Sequence, residues 1–458
     1  MKPTYDELFQ IIEQLRQEGR EKDKRIDRLE KLVEKLTKEL RKYVNENTPS
    51  GSVPPYLKKL ESTVDRFAKE DDDKGPPKDN PRNERPDHID RTEHHSLENP
   101  ACPLCGGHAR RRGNSTRKRI VIELQLPQAE VVEHESEIYA CEECGKVFSP
   151  PVPNALPKME FDITTVVLIS YLFNAAKMSV DEIRSLLRAF GVGVSEGSIT
   201  NSMKRLKEYL GPYYNELLEK VKSAPSRYKD ETSHRHCGKN FWAWVIATKE
   251  WTYYTIERRR SHKVAKSMSS TKGVDVCDGY AGYNKLKCEK QRDWAHLLRI
   301  GKKPAYQFGI DEKFDEYAIF VKKLSLIFHN AKVDKRRKGV SKWLRRKYDN
   351  KLWKLLQTAP TLGRNFTRLT NYMMRFNGEW FTFLQYKDVE PTNNRAERAL
   401  RPMVIKRRIS QQSRGQDNMD SYAMQMSLYM SSKLQGQDYI ENLTDILKSQ
   451  VSSMPYKS

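Results

Sequence analysis

No part of this 458-residue chain is apolar for long enough to cross a bilayer. The longest mostly apolar stretch, 163–176, contains Thr, Ser and Asn and is bounded by Asp162 and Lys177. It is predicted as a buried helix, since a membrane span needs about 20 apolar residues. The opening Met1-Lys2-Pro3-Thr4-Tyr5-Asp6 lacks an apolar signal-peptide core, so a soluble cytoplasmic protein with no membrane partner is expected. Cysteine is also scarce. Of seven, four form the CxxC pairs Cys102/Cys105 and Cys141/Cys144, and the scattered Cys237, Cys277 and Cys288 do not suggest a disulfide framework. No Ser-His or Cys-His constellation marks a protein nucleophile.

Acidic residues fall short of basic ones overall, 61 against 83, but not evenly. Residues 1–100 hold 21 Lys/Arg and 23 Asp/Glu, so the remaining residues carry a net +24. A body this basic implies a polyanionic partner, with nucleic acid first.

The chain divides by composition. Residues 1–48 are predicted as a coiled coil: Leu8, Ile12, Leu15, then Ile26, Leu29, Val33, Leu36, Leu40 and Tyr43 recur at steps of four and three, interrupted at Gly19 and Lys22. Self-association through this seam is expected to give a homodimer. Residues 49–100 hold Pro54-Pro55, Asp71-Asp72-Asp73 and Gly75-Pro76-Pro77, and bury too little to order themselves, so a disordered linker is expected. Residues 101–152 are predicted as a zinc ribbon. Its knuckles, Cys102-Pro-Leu-Cys105-Gly106-Gly107 and Cys141-Glu-Glu-Cys144-Gly145-Lys146, flank an alternating strand at 119–126, with another near 138–140. Four thiolates leave no open position, so one structural Zn²⁺ is expected. Arg110-Arg111-Arg112 and Arg117-Lys118-Arg119 are available to phosphate.

Residues 153–224 are predicted helical and helix-turn-helix-like: helices at 180–190 and 198–210 meet at Gly191-Val192-Gly193-Val194-Ser195, with Ser195 as N-cap. Residues 225–298 change to short aromatic and β-branched strands at 227–232, 241–247 and 251–256, a helix at 261–269 and a buried strand at 273–278. That order is the first part of a ribonuclease-H-like core. Residues 299–388 are expected to form a basic helical insertion, and 389–458 a carboxylate-bearing helix with terminal helices. The fold class is therefore α/β.

Three acidic motifs carry the chemistry: Asp230-Glu231-Thr232, Asp278-Gly279-Tyr280 and Asn393-Asn394-Arg395-Ala396-Glu397-Arg398. Two Asp and one Glu, delivered by two strands and a helix, suit a pair of divalent cations about 4 Å apart that activate a water or a 3′-hydroxyl. Hard oxygen ligands favour Mg²⁺ or Mn²⁺. Glu231 rivals Asp230, but neighbours on a strand face opposite sides and only one of them enters a site. Arg401 lies one turn beyond Glu397 on its face, within reach of a phosphate.

These motifs resemble the signature blocks of the insertion-sequence-66 family of DDE transposases, the third block most specifically: Asn393-Asn-Arg-Ala-Glu397-Arg-Ala-Leu-Arg401-Pro402. The resemblance extends to the order of coiled coil, cysteine module and core with helical insertion. It implies Asp230, Asp278 and Glu397 as catalytic metal ligands, and Arg398, Arg401, Lys406, Arg407 and Arg408 as DNA contacts. The implied partners are transposon ends, target DNA and accessory transposition proteins, in a nucleoid-associated setting. Asp293-Trp294-Ala295-His296 resembles an element that follows the second catalytic Asp, with Asp293 where the family more often has Cys and His296 as an outer group. After Pro402 the chain lacks the aromatic run expected there. A nuclease without joining activity and a non-catalytic zinc-ribbon regulator are the alternatives.

Overall fold

A computed structural model describes residues 159–307, 314–357 and 364–453, with 104–108, 128–157 and positions 89, 91, 92 and 94 before them. The predicted coiled coil of 1–48, nearly all of the linker, Cys102 and the strand expected at 119–126 lie outside the described residues. No helix among the described residues is long and apolar enough to cross a membrane.

The cysteine module shows a small antiparallel pair, β1 (Tyr139–Ala140) with β2 (Val147–Phe148). Between them the chain turns tightly: the Cys141 N–H donates to the Lys146 carbonyl and the Gly145 N–H to the Cys141 carbonyl, both at 2.9 Å. Gly106 and Gly145, each directly after the second cysteine of its pair, sit at φ +70° and +69°. Both glycines thus adopt the left-handed backbone that glycine favours.

Three helices follow: α1 (Ile163–Asn174), α2 (Val180–Ala189) and α3 (Glu196–Ser223). Ser179 and Glu182 form a capping box at the start of α2, and the Ser195 hydroxyl accepts from the Ser198 N–H at 3.0 Å at the start of α3. The sequence placed this cap. It did not show that α3 continues to Ser223, through Pro212, and so joins two cores. Ile199, Met203 and Leu206 pack with α1, α2 and the C-terminal Tyr439, Leu443 and Leu447. Leu217 and Val221 pack beneath the sheet.

That sheet has five strands in the order β5-β4-β3-β6-β7: β3 (Ser226–His236), β4 (Lys239–Ala247), β5 (Thr252–Glu257), β6 (Val274–Cys277) and β7 (Glu289–Arg292). The first three form antiparallel hairpins, and β6 and β7 run parallel to β3. A short helix, α4 (His262–Ser267), and a 3₁₀ turn (Ala281–Lys285) lie between. This mixed α/β arrangement is compatible with the expected ribonuclease-H-like core.

Strand parity divides the sheet's two faces. Tyr228, Val245 and Val276 point into the larger core, whereas Trp244, Ile246 and Cys277 point to the other side. With both faces covered, Trp244, Val245 and Ile246 are all fully buried. The larger core is completed by α5 (Trp294–Gln307), α6 (Phe314–Lys338), α7 (Lys342–Gln357), α8 (Arg364–Arg375), α9 (Asn394–Ser410) and α10 (Gln416–Gln435), before the terminal α11 (Tyr439–Ser453). The basic segment carries α6, α7 and α8, and α5 continues without a break across residues 298 and 299. Gly339 (φ +74°) ends α6, whose last turn is Lys335-Arg336-Arg337-Lys338. Cations there face the negative end of the helix dipole, and Lys335 Nζ reaches the Val389 carbonyl at 2.8 Å.

Candidate active site

Asp230 lies within β3, one strand from Asp278, which immediately follows β6. The parallel ladder pairs Ser226 with Val274 and Tyr228 with Val276. Carried two residues further, that register sets Asp278 beside Asp230. By parity both belong to the face of Tyr228 and Val276, the face on which α9 packs through Ala396, Ala399, Leu400 and Met403. Glu397 lies in the first turn of α9. The fold thus brings the three predicted acids to one side of one sheet.

Their mutual field shows in Asp230. Burial pushes its carboxyl well above the usual range; Glu231, Asp278 and Glu397 push the same way, while the Glu231 N–H opposes them. The Glu397 carboxylate lies 3.8 Å from Arg299 of α5. Among the described residues, no three His, Cys, Asp or Glu side chains are gathered tightly enough to hold one ion between them. Asp230 and Asp278 come from neighbouring strands, and Glu397, on the helix packed over them, lies beside Arg299. A carboxylate cluster whose ionisation is opposed by burial and repulsion is chemically suited to a divalent cation.

Glu231 occupies the opposite face. It is buried, accepts a hydrogen bond from the Tyr283 hydroxyl and pairs with Arg260, whose Nε lies 2.7 Å away. Arg260 in turn stacks on the Tyr280 ring at 4.0 Å. The acid next to Asp230 is therefore occupied in bracing the sheet's other side.

Asp278 is held by its own loop. The Tyr280 N–H donates to its Oδ1 at 2.9 Å, and Arg292 donates to its carbonyl at 2.7 Å. Gly279 has a steric reason: a Cβ there would overlap the Tyr372 hydroxyl and ring, which reach in from α8.

The third block explains itself residue by residue. Asn393 Nδ2 donates to the Lys229 carbonyl at 2.8 Å. Arg395 pairs with Glu390 and lies over the Tyr228 ring at 5.1 Å, and Ala396 is fully buried. These anchors seat α9 on the strand that carries Asp230. Asp293, read only as a departure from the family pattern, is buried between three elements. Its N–H donates to the Cys277 carbonyl (3.1 Å), and its Oδ1 accepts from Ala295 (2.9 Å) and Asn393 (3.2 Å) backbone N–H groups. Burial raises its carboxyl, Glu397 adds to this, and those N–H groups counter it. His296 lies on α5 with its ring 6.3 Å from that of Tyr372.

The basic residues expected at DNA separate. Arg398, Arg401 and Arg408 are exposed. Arg407 donates to the Ser233 hydroxyl at 2.7 Å, bracing α9 on β3. Lys406 departs from the expectation. It is 3% exposed, donates to the Met178 carbonyl, and lies 3.5 Å from the Phe173 ring centre, turned away from solvent. Its position follows the periodicity of Ala396, Ala399 and Met403, so the helix buries it with them.

Of the four cysteines expected at zinc, Cys105 and Cys144 are exposed and Cys141 is half-buried. Backbone N–H groups of Cys144 and Glu143 lower the Cys141 thiol, as a thiolate ligand requires.

A sequence model of the family described as "Transposase IS66 family" matches residues 160–421, from just before α1 into α10. An uncharacterized protein, y4jD of Sinorhizobium fredii (strain NBRC 101917 / NGR234), is 21% identical over 394 residues, covering 78% of this chain and 75% of that protein.

Proposed function

The chain belongs to the IS66 transposase family, and we propose that it cuts DNA at the ends of its element and joins the exposed 3′-hydroxyls to target DNA. The observation that carries this reading is the shared field of Asp230, Asp278 and Glu397 on one side of the sheet. Asp230 and Asp278 would hold a Mg²⁺ or Mn²⁺ ion between them, and Glu397 would complete a second position. Such a pair supplies an activated water or 3′-hydroxyl and stabilises the leaving 3′-oxygen.

The chain's own groups do the rest. Asn393 and Asp293 tie the start of α9 to β3 and to the start of α5, which would fix Glu397 relative to Asp230. Arg299, freed from Glu397, is placed to take a phosphate, and Arg398, Arg401 and Arg408 offer further phosphate contacts. Cys102, Cys105, Cys141 and Cys144 would bind one structural Zn²⁺. The helix-turn-helix-like α2–α3 pair and the cysteine module would grip the terminal repeats, and residues 1–48 would pair two protomers.

The test incubates full-length protein with a labelled element-end duplex, a target plasmid and Mg²⁺ or Mn²⁺. Joined product that disappears in Asp230→Ala, Asp278→Ala and Glu397→Ala supports the reading. Cleavage without joining replaces it with a nuclease, and binding without cleavage with a regulator.

A further inference from the structure

We propose that the outward face of α7 is a binding surface for single-stranded DNA, with Trp343 and Trp353 as its stacking platforms. This rests on the DNA-processing function above and adds a form of partner and a place for it.

The helix has two unlike faces. Leu344, Tyr348, Leu352 and Leu355 are buried in the larger core. Opposite them, at helical steps of three and four, stand Trp343, Arg346, Asn350, Trp353 and Lys354, all exposed. Trp343 is 65% exposed and Trp353 42%. Neither indole is needed by the core beneath it, and indoles this open mark a contact surface.

Charge selects the partner. The carboxylate contacts of α7 are made by Arg345, with Glu289 and Asp349, and by Lys347, with Asp334. Arg346 and Lys354 have no carboxylate within ion-pair distance among the described residues, and Lys342 and Lys351 are exposed beside them. A second copy of this face would meet it like charge to like charge in a symmetric contact. A nucleic-acid strand would be complementary.

Spacing selects the form. Ten residues of helix place the two indoles about 15 Å apart along the axis. Stacked bases rise only about 3.4 Å per step and hide their faces inside a duplex. Bases splayed from an extended single strand can cover both platforms while Arg346 and Lys354 take the phosphates between them. Opening a DNA end provides such a strand.

The test measures binding of fluorescein-labelled dT15 and of a blunt mixed-sequence duplex to full-length protein by anisotropy. Trp343→Ala and Trp353→Ala should each weaken dT15 binding by about 5- to 150-fold, with duplex affinity within twofold of wild type. Unchanged dT15 affinity in the double variant would overturn the proposal, as would equal losses on both DNAs. Conversion of a dimer to a monomer by the double variant in sedimentation would assign the face to a second copy instead. If dT15 binding is unchanged while end-duplex cleavage persists, only this surface is lost. A wild-type protein that neither binds nor cleaves DNA would remove the transposase reading as well.

Discussion

The side-chain amide of Asn393 donates to the backbone carbonyl of Lys229 across 2.8 Å, with both residues buried. This single bond joins the residue before α9 to the strand position before Asp230. Glu397 lies four residues beyond one partner and Asp230 one beyond the other, so the bond sets the helix's acid against the strand's. Asn393→Ala would leave a buried carbonyl unpaired, at a cost of about 1–3 kcal/mol. Denaturant unfolding should show that loss. End cleavage should fall further than the unfolded fraction explains, because Glu397 loses its reference to Asp230.

Gly279→Ala puts a methyl group where the Tyr372 hydroxyl lies. The loop carrying Asp278 or the helix carrying Tyr372 must move, and misplacement near 1 Å can lower a rate about 10²-fold. The predicted signature is non-additivity: Gly279→Ala with Tyr372→Ala should cleave better than Gly279→Ala alone. Equal activity of the two would mean that the contact is not what requires glycine.

The two neighbouring acids should separate cleanly. Glu231→Ala removes the acceptor of Tyr283 and Arg260, costing about 1–3 kcal/mol of stability, while the folded fraction keeps cleavage within about tenfold, the rate equivalent of 1.4 kcal/mol. Asp230→Asn should abolish cleavage and stabilise the metal-free fold.

That stabilisation has a defined pH dependence. The folded-state pKa of Asp230 is raised, so native protein binds its proton more readily than unfolded chain does. Its contribution is fully favourable below the unfolded value near 3.8 and is lost as pH climbs through the raised one. The melting temperature of Asp230→Asn should therefore exceed wild type at pH 7, by roughly 1–2 °C per kcal/mol regained, and approach it near pH 4. Calorimetry without divalent cations reads this directly.

Lys406 and Arg408 are predicted to differ despite their proximity. Burial and then Lys177 push the Lys406 ammonium down to about 7. The folded protein therefore gains stability as pH rises from about 7 toward the unfolded value near 10.5, and Lys406→Met should flatten that rise. Its duplex affinity should keep the wild-type salt slope, whereas Arg408→Ala should reduce the slope by about one.

These cases mark how far the sequence could be read. Aromatic and β-branched runs placed β3 to β6 but not β7, Ser195 announced the start of α3, and the block around Glu397 identified an acid on a helix, because each of these signals is local. The acid pair needed one tertiary fact, the parallel register of β3 with β6. The family resemblance counts Lys406 among the DNA contacts, whereas helical periodicity aligns it with the buried Met403 and Ala399. The partners of Asn393, Asp293 and Gly279 were not legible at all. Asn393 meets Lys229 across 164 residues and Asp293 across 100, and Gly279 is a steric fit against Tyr372; none of these leaves a pattern in neighbouring residues.

Convergence of Asp230, Asp278 and Glu397 on bound metal is tested most directly by iron-mediated backbone cleavage. Fe²⁺ replaces Mg²⁺ in the full-length protein, ascorbate and peroxide are added, and the cut sites are mapped by mass spectrometry. The predicted result is scission clustered near residues 230, 278 and 397 together, suppressed by excess Mg²⁺ and lost in Asp230→Ala. Scission confined to one of these segments, or unaffected by Asp230→Ala, would contradict a single site built from all three.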